Sequence, residues 1–199
     1  KKAADGVHAH LLSVLTQELA PHLTKIGTAE IWKLLNARST EAQELGGRLM
    51  ADKLRPEDLT VAQLVKLFSH DVLAVRRAAW MFAERSLPRV QQAMATSVRL
   101  LDAKWDDSRQ GAFDLFRNKL TKQQLTPAIL VAICDSIRDD VQQFGRELIT
   151  RYFEDSDGHE YLLKLSEHPS AKLQLFATNY LERYAGGDLE RLAGLVPYF

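Results

Sequence analysis

Five stretches of the chain repeat one pattern of large and small residues at a nearly constant interval. Aligning Ala42, Val75, Ser108, Val141 and Leu173 gives spacings of 33, 33, 33 and 32 residues. Three positions on stand Leu45, Ala78, Gly111, Phe144 and Phe176, and next in every copy comes a small residue: Gly46, Ala79, Ala112, Gly145 and Ala177. Leu49, Phe82, Leu115, Leu148 and Tyr180 follow three later, with Met50, Ala83, Phe116, Ile149 and Leu181 beside them. Residues at i, i+3, i+4, i+7 and i+8 share one face of an α-helix, so each copy carries an apolar helical stripe. The best-formed copy is DVLAVRRAAWMFAERSL, from Asp71 to Leu87. A fixed interval of this size restricts the chain to repeat architectures, in which each unit is too small to bury its own stripe and stacks on its neighbours.

A second helical pattern, Val61, Leu64, Val65, Leu67 and Phe68, lies between successive copies and shifts by the same interval. Leu64, Ser97 and Leu130 correspond, as do Val65, Val98 and Val131, and then Phe68, Leu101 and Cys134. Each repeat therefore reads as a helical hairpin. The small column fits this reading, because glycine inside a helix costs roughly 1 kcal/mol relative to alanine and is expected where a neighbouring backbone approaches closely. That assigns packing roles to Gly46, Gly111 and Gly145. Thr28 is expected to cap one helix, and Thr40 with Gln43 and Thr60 with Gln63 have capping-box spacing. Pro56, Pro88, Pro127 and Pro169 fall at joints or first turns, where a missing amide hydrogen is tolerated. Asp155-Ser156-Asp157-Gly158 and Gly186-Gly187 read as turns. Val7, Leu11, Leu12, Val14, Leu15 and Leu19 mark an earlier amphipathic helix outside the register, closed near Pro21. No strand-period segment of useful length occurs. The expected organisation is a capping helix over 1–27, a repeat array over 28–185, and the start of a further repeat over 186–199. The first residue is not methionine and the closing LAGLVPYF is apolar, so the chain is expected to be a segment of a larger protein.

Composition narrows function more by exclusion than by assignment. Twenty-six lysines and arginines balance 26 aspartates and glutamates, for a formal charge of +0, so no global field draws the chain to nucleic acid or an anionic membrane. Hydrophobic content of 46% and mean hydropathy of -0.22 suit an ordinary folded domain. No run of about 18 apolar residues is available to span a bilayer, and the start lacks a secretory apolar segment. The single Cys134 excludes an internal disulfide framework and, with the absent signal, points to a cytoplasmic setting.

An interval of 33 also suits ankyrin and tetratricopeptide repeats. No copy has the T-P-L-H of ankyrin, and Asp58 and Asp157 stand where a tetratricopeptide repeat would place alanine after Leu45-Gly46 and Phe144-Gly145. The segment Asp71-Val72-Leu73-Ala74-Val75-Arg76-Arg77-Ala78-Ala79 instead resembles the second-helix start of a HEAT repeat. Weaker copies begin at Asp139-Asp140-Val141 and at His168-Pro169-Ser170. The resemblance covers about residues 28 to 185. It implies an all-α, right-handed α-solenoid of about five stacked antiparallel helical hairpins of the HEAT/armadillo type. It also implies that the second helices line a concave face and that their polar columns meet a partner.

Two columns are candidates for that role. Gln43, Arg76, Arg109, Gln142 and Gln174 lie about 90° around the helix from the stripe, as a ladder of long donors for acidic or backbone groups. Flank residues bonded to the next repeat are the alternative. Trp80 and Phe113 occupy equivalent positions of neighbouring repeats, with Gly47, Arg146 and Thr178 completing their row. Exposed, these aromatics would centre a protein-binding patch flanked by Arg76, Arg109 and Arg117; buried, they would pack one repeat on another. The expected site comprises Arg76, Arg77, Trp80, Arg109, Phe113, Arg117, Gln142 and Arg146. The expected function is that of a non-catalytic scaffold or adaptor for a protein partner or another domain of the same chain.

Nucleic-acid binding or processing on the same face is the alternative, resting on the arginines of the second helices; a spacer between catalytic domains is a third. Acids such as Glu84, Asp107, Asp114, Asp139, Asp140 and Glu147 interrupt the arginine row. Some HEAT-like proteins are alkylpurine DNA glycosylases, and Trp105-Asp106 and Trp80 supply the residue types of that site without its arrangement. Enzyme and metal signals are weak. His159-Glu160 lacks the second histidine of H-E-x-x-H, where Leu163 stands, and His8-x-His10 has no further ligand nearby. Cys134 sits in an apolar column as a structural thiol. No phosphate-binding glycine loop, dinucleotide fingerprint or nucleophile elbow is present, and no cofactor or metal is expected.

Overall fold

The computed structural model describes residues 2–18, 20–152, 154, 157–166 and 168–195. The expected turn residues Asp155 and Ser156, the apolar position Leu19 and the closing residues 196–199 lie outside that set, as do the side chains of His8, His159, Ala177, Tyr180 and Leu181. Among the described residues every regular element is helical. No helix of these residues is long and apolar enough to cross a membrane. The chain divides into two compact units, Lys1–Leu115 and Phe116–Phe199.

The first unit opens with α1 (Lys2–Gln17), longer at its start than the sequence pattern requires, followed by a 3-10 turn over Ala20–Lys25. Helices α2 (Thr28–Leu35) and α3 (Thr40–Lys53) pack together, and α3 also packs on α1 and on α5 (Leu73–Arg85). Helix α4 (Val61–Phe68) packs on α5, and on α7 (Met94–Ser97), which follows the short α6 (Leu87–Gln92). Helix α8 (Asp106–Lys119) carries the division between units. The caps are partly those the spacing predicts. Thr60 Oγ1 accepts from the Gln63 amide at 3.2 Å while Gln63 Oε1 accepts from the Thr60 amide at 2.8 Å, completing a capping box at the start of α4. At α3 the cap is Ser39, one residue before the expected Thr40, and it accepts from the Ala42 amide at 3.2 Å. Gly27 rather than Thr28 caps α2.

The segment corresponding to α4 in the next copy is broken. Ala93 leaves the helical region at φ -106° and ψ 41°, separating α6 from α7. Ser97, in the leucine column of Leu64 and Leu130, donates its hydroxyl to the Val90 carbonyl at 2.7 Å in a buried position. The hydroxyl thus satisfies a carbonyl that the interrupted helix leaves without a partner.

In the second unit, α9 (Pro127–Cys134) starts with proline in its first turn and packs on α10 (Asp139–Tyr152) and on α11 (Gly158–Ser166). Helix α12 (Ala171–Ala185) packs on α11 and on α13 (Leu189–Leu195). The turn after α12 holds Gly187 at φ +90°, a conformation open to glycine at little cost. Each unit buries its stripe. Val75, Ala79, Phe82 and Ala83 are at most 1% exposed in the first, and Val141, Leu148 and Ile149 are equally buried in the second. Burying a side chain such as Phe82 is worth about 1.5–3 kcal/mol.

The small column faces the helix before it. A Cβ on Gly46 would sit 2.9 Å from the Leu35 amide nitrogen of α2, and one on Gly145 would sit 2.9 Å from the corresponding Cys134 nitrogen of α9. Backbone approach excludes a side chain at both. Gly111 differs from its expected role: a Cβ there would meet nothing closer than the Trp80 ring at 3.7 Å, an ordinary contact.

Candidate functional site: the turns and outer face of the second helices

The ladder of long donors closes turns. Gln43 Nε2 donates to the Ala37 carbonyl at 2.7 Å, and Arg76 Nη1 to the His70 carbonyl at 2.9 Å. Arg109 Nη1 donates to Ala103 at 3.1 Å, Gln142 Nε2 to Ser136 at 2.7 Å and Gln174 Nε2 to His168 at 3.0 Å. In all five cases the acceptor lies six residues earlier, in the turn that leads into the donor's own helix. Such carbonyls have no partner in the preceding helix, and a long amide or guanidinium side chain one turn into the next helix reaches them. The bonds are therefore made within each helix pair, neither to a partner nor to the next copy.

Several of these turns are tied a second way. His70 Nδ1 accepts from the Val72 amide, Ser136 Oγ from the Arg138 amide and His168 Nδ1 from the Ser170 amide, each at 3.1 Å. Because Nδ1 is the acceptor in both histidines, Nε2 carries the proton. It faces the Leu35 carbonyl at 3.2 Å from His70, and an Asp135 oxygen at 3.1 Å from His168.

Arg76 is the most heavily engaged of the expected site residues. Its Nε and Nη2 meet the two carboxylate oxygens of Asp107 at 3.1 and 2.6 Å, and Nη1 also donates to the Asp71 carbonyl at 3.0 Å. Its guanidinium lies 4.8 Å from the Trp105 ring centroid, on which Lys104 also stacks at 4.9 Å. The side chain is 8% exposed. Burial works against the charge of Asp107, but the hydrogen bonds and charge of Arg76, with the Ser108 amide, outweigh it and hold the carboxyl below its ordinary range. Arg109, 12% exposed, adds a 3.2 Å ion pair with Asp106 to its turn bond. In the second unit Arg117 grips both oxygens of Glu147, at 3.1 and 3.2 Å, over the Phe144 ring.

The aromatic row does not form a surface pair. Phe113 is 6% exposed, and Trp80 is half-buried, its ring against Gly111 and its Nε1 donating to Ser108 Oγ at 3.3 Å. Gly47, in the same row, meets the Val75 backbone of α5, 3.0 Å from where its Cβ would stand. In α3 and α5 this row faces the next second helix, which is why a position off the core stripe is still covered. Arg146 is half-buried, close enough to Cys134 for its charge to favour the thiolate, yet burial dominates and pushes that thiol up to about 12. Of the eight expected site residues, Arg77 alone is exposed, and it makes no ion pair among the described residues.

Around Arg77 stand two residues that belong to neither candidate column. Leu73 is 40% exposed and Met81 is 56% exposed, one turn before and one turn after Arg77 on α5, with the open part of Trp80 beside them. At the equivalent sequence positions α3 carries Thr40, Glu44 and Arg48, α8 carries Asp106, Gln110 and Asp114, and α10 carries Asp139, Gln143 and Glu147. Helix α12 shares one large apolar member, Leu175, 63% exposed. The signal was available in the sequence as a break in an otherwise polar column. Among the described residues no group of three or more metal-ligating side chains converges. No family model, curated protein or solved structure matches the chain.

Proposed function

We propose that the chain is a non-catalytic scaffold of HEAT-like helical repeats that binds a protein partner through the face lined by its second helices, with α5 as the contact. In this proposal the repeats stack as an α-solenoid whose concave face carries α5, within a larger cytoplasmic protein. The repeat reading is supported by the five turn-closing bonds, whose donors recur at 33, 33, 33 and 32 residues. The observation that carries the binding reading is the outward face of α5. Leu73, Arg77 and Met81 stand there beside Trp80, and the positions equivalent to the first three are Thr40, Glu44 and Arg48 in α3, Asp106, Gln110 and Asp114 in α8, and Asp139, Gln143 and Glu147 in α10. Exposed leucine and methionine cost solubility without contributing to the core, and tryptophan and arginine are favoured at the centres of protein interfaces. The acid partners of Arg76, Arg109 and Arg117 count against a phosphate-tracking row, since their charges are already neutralised.

Affinity capture with the wild-type chain and with the Arg77→Glu/Met81→Lys double variant tests the reading. Both positions are exposed, so the variant should keep the wild-type melting temperature while losing the proteins that the wild type retains. Identical retained sets would overturn it, and so would duplex DNA binding at about 50 mM salt that survives the double variant.

A further inference from the structure

We propose that the segment docking on α5 is an amphipathic helix with an acidic residue midway between two apolar anchors, an inference that rests on the binding surface proposed above. Leu73, Arg77 and Met81 follow one another at four-residue steps, so the two apolar side chains stand about 12 Å apart along the axis with the guanidinium between them. Among the described residues Arg77 pairs with no carboxylate, in contrast to Arg76, Arg109 and Arg48, which pair with Asp107, Asp106 and Glu44. An unpaired arginine between two exposed apolar groups is complementary to a carboxylate flanked by apolar side chains. The other exposed charges of α5, Glu84 and Arg85, lie beyond Met81 at its C-terminal end and offset one another.

The occupant's backbone is constrained as well. A helix surface offers no free amide or carbonyl edge, so an extended peptide laid on α5 would leave its own backbone groups without partners on the buried side. A helical peptide satisfies them internally and needs only side-chain complementarity. The matching pattern is apolar, acidic and apolar at i, i+4 and i+7 or i+8, and it reads equally well in either direction because Arg77 is central. The half-buried Trp80 ring supplies a rigid wall beside the acidic contact.

The test is selection from a displayed library of helical 15-residue peptides, randomised on one face and panned against the complete 199-residue chain. Enriched peptides should carry Asp or Glu at the centre with large apolar residues one turn to either side. Their affinity should fall by at least about tenfold against Arg77→Glu and against Met81→Lys, with unchanged circular dichroism and melting temperature. A peptide with lysine at the centre should regain binding to Arg77→Glu. Enriched peptides without a central acid that still lose affinity to Met81→Lys would overturn the acidic-helix assignment and leave the α5 surface standing. No enrichment, or enriched peptides that bind both variants as tightly as wild type, would overturn the acidic helix. In the second case the α5 surface would fall with it.

Discussion

Replacing Asp107 by alanine should destabilise the first unit, because it strands the Arg76 guanidinium. Arg76 donates four hydrogen bonds, two to Asp107 and one each to the His70 and Asp71 carbonyls, and its side chain is only 8% exposed. Breaking a fully buried ion pair costs about 3–5 kcal/mol. Here the Asp107 side chain is 37% exposed, so water can enter where the carboxylate stood, and two carbonyl bonds and the Trp105 ring remain. The expected loss is therefore about 2 kcal/mol. For a chain of this size that corresponds to a fall of roughly 4–8 °C in melting temperature. The compensating change is present in the chain itself, since Gln43, Gln142 and Gln174 close the same turn without a charge. Arg76→Gln/Asp107→Ala should accordingly be more stable than Asp107→Ala alone, a coupling that a double-mutant cycle in urea measures. The pH dependence has a definite sign. The carboxyl is lowered in the folded state, so its contribution is complete above its unfolded value of about 3.9 and is lost as pH falls through the lower folded value. The gap between wild type and Asp107→Ala should therefore be constant at mildly acidic and neutral pH and close only in stronger acid. A loss under about 0.5 kcal/mol, or additive effects in the cycle, would refute the assignment of Arg76 as a buried structural cation.

Two glycines in adjacent columns of the register should respond in opposite directions. Gly145→Ala places a Cβ 2.7 Å from Cys134 Sγ and 2.9 Å from its amide nitrogen, and should cost about 1–3 kcal/mol in urea unfolding. Gly111→Ala meets nothing closer than the Trp80 ring at 3.7 Å and should stabilise by about 0.5–1 kcal/mol through helix propensity. Gln142→Ala leaves the Ser136 carbonyl without its side-chain donor and should cost about 1 kcal/mol, measured in the same way. Cys134, fully buried with its thiol pushed up to about 12, should resist iodoacetamide at pH 8 until the protein is unfolded, as mass spectrometry of the alkylated chain will show.

The register of apolar residues made much of the helical layout legible. Val75, Ala79 and Phe82 are buried as their stripe requires, Pro127 lies in the first turn of α9, and the Thr60–Gln63 capping box forms. Local competition explains the departures. Ser39 takes the cap that Thr40 was expected to provide, and Gln43, freed from it, reaches the Ala37 carbonyl. At the candidate site the limit was geometric. A rotation of 100° per residue places Trp80 and Phe113 off the core stripe, but does not reveal whether that side meets water or another helix. The length of Arg76 likewise permits both a surface role and a turn closure; only the position of the His70 and Asp71 carbonyls decides between them. Leu73 and Met81 carry no signal singly, because each fits a helix on its own. Their meaning emerges when the columns Thr40, Asp106, Asp139 and Arg48, Asp114, Glu147 are set beside them.

Arg109 and its counterparts close turns, whereas Arg77 is the residue proposed to meet a partner. Calorimetric titration of one captured partner against three forms of the complete chain tests this division most directly: wild type, Arg77→Glu, and Arg109→Gln, whose glutamine can keep the bond to the Ala103 carbonyl as Gln142 does at Ser136. Arg77→Glu should weaken binding by at least about tenfold at unchanged melting temperature, and Arg109→Gln should bind as wild type does. Binding lost on Arg109→Gln and retained on Arg77→Glu would contradict it.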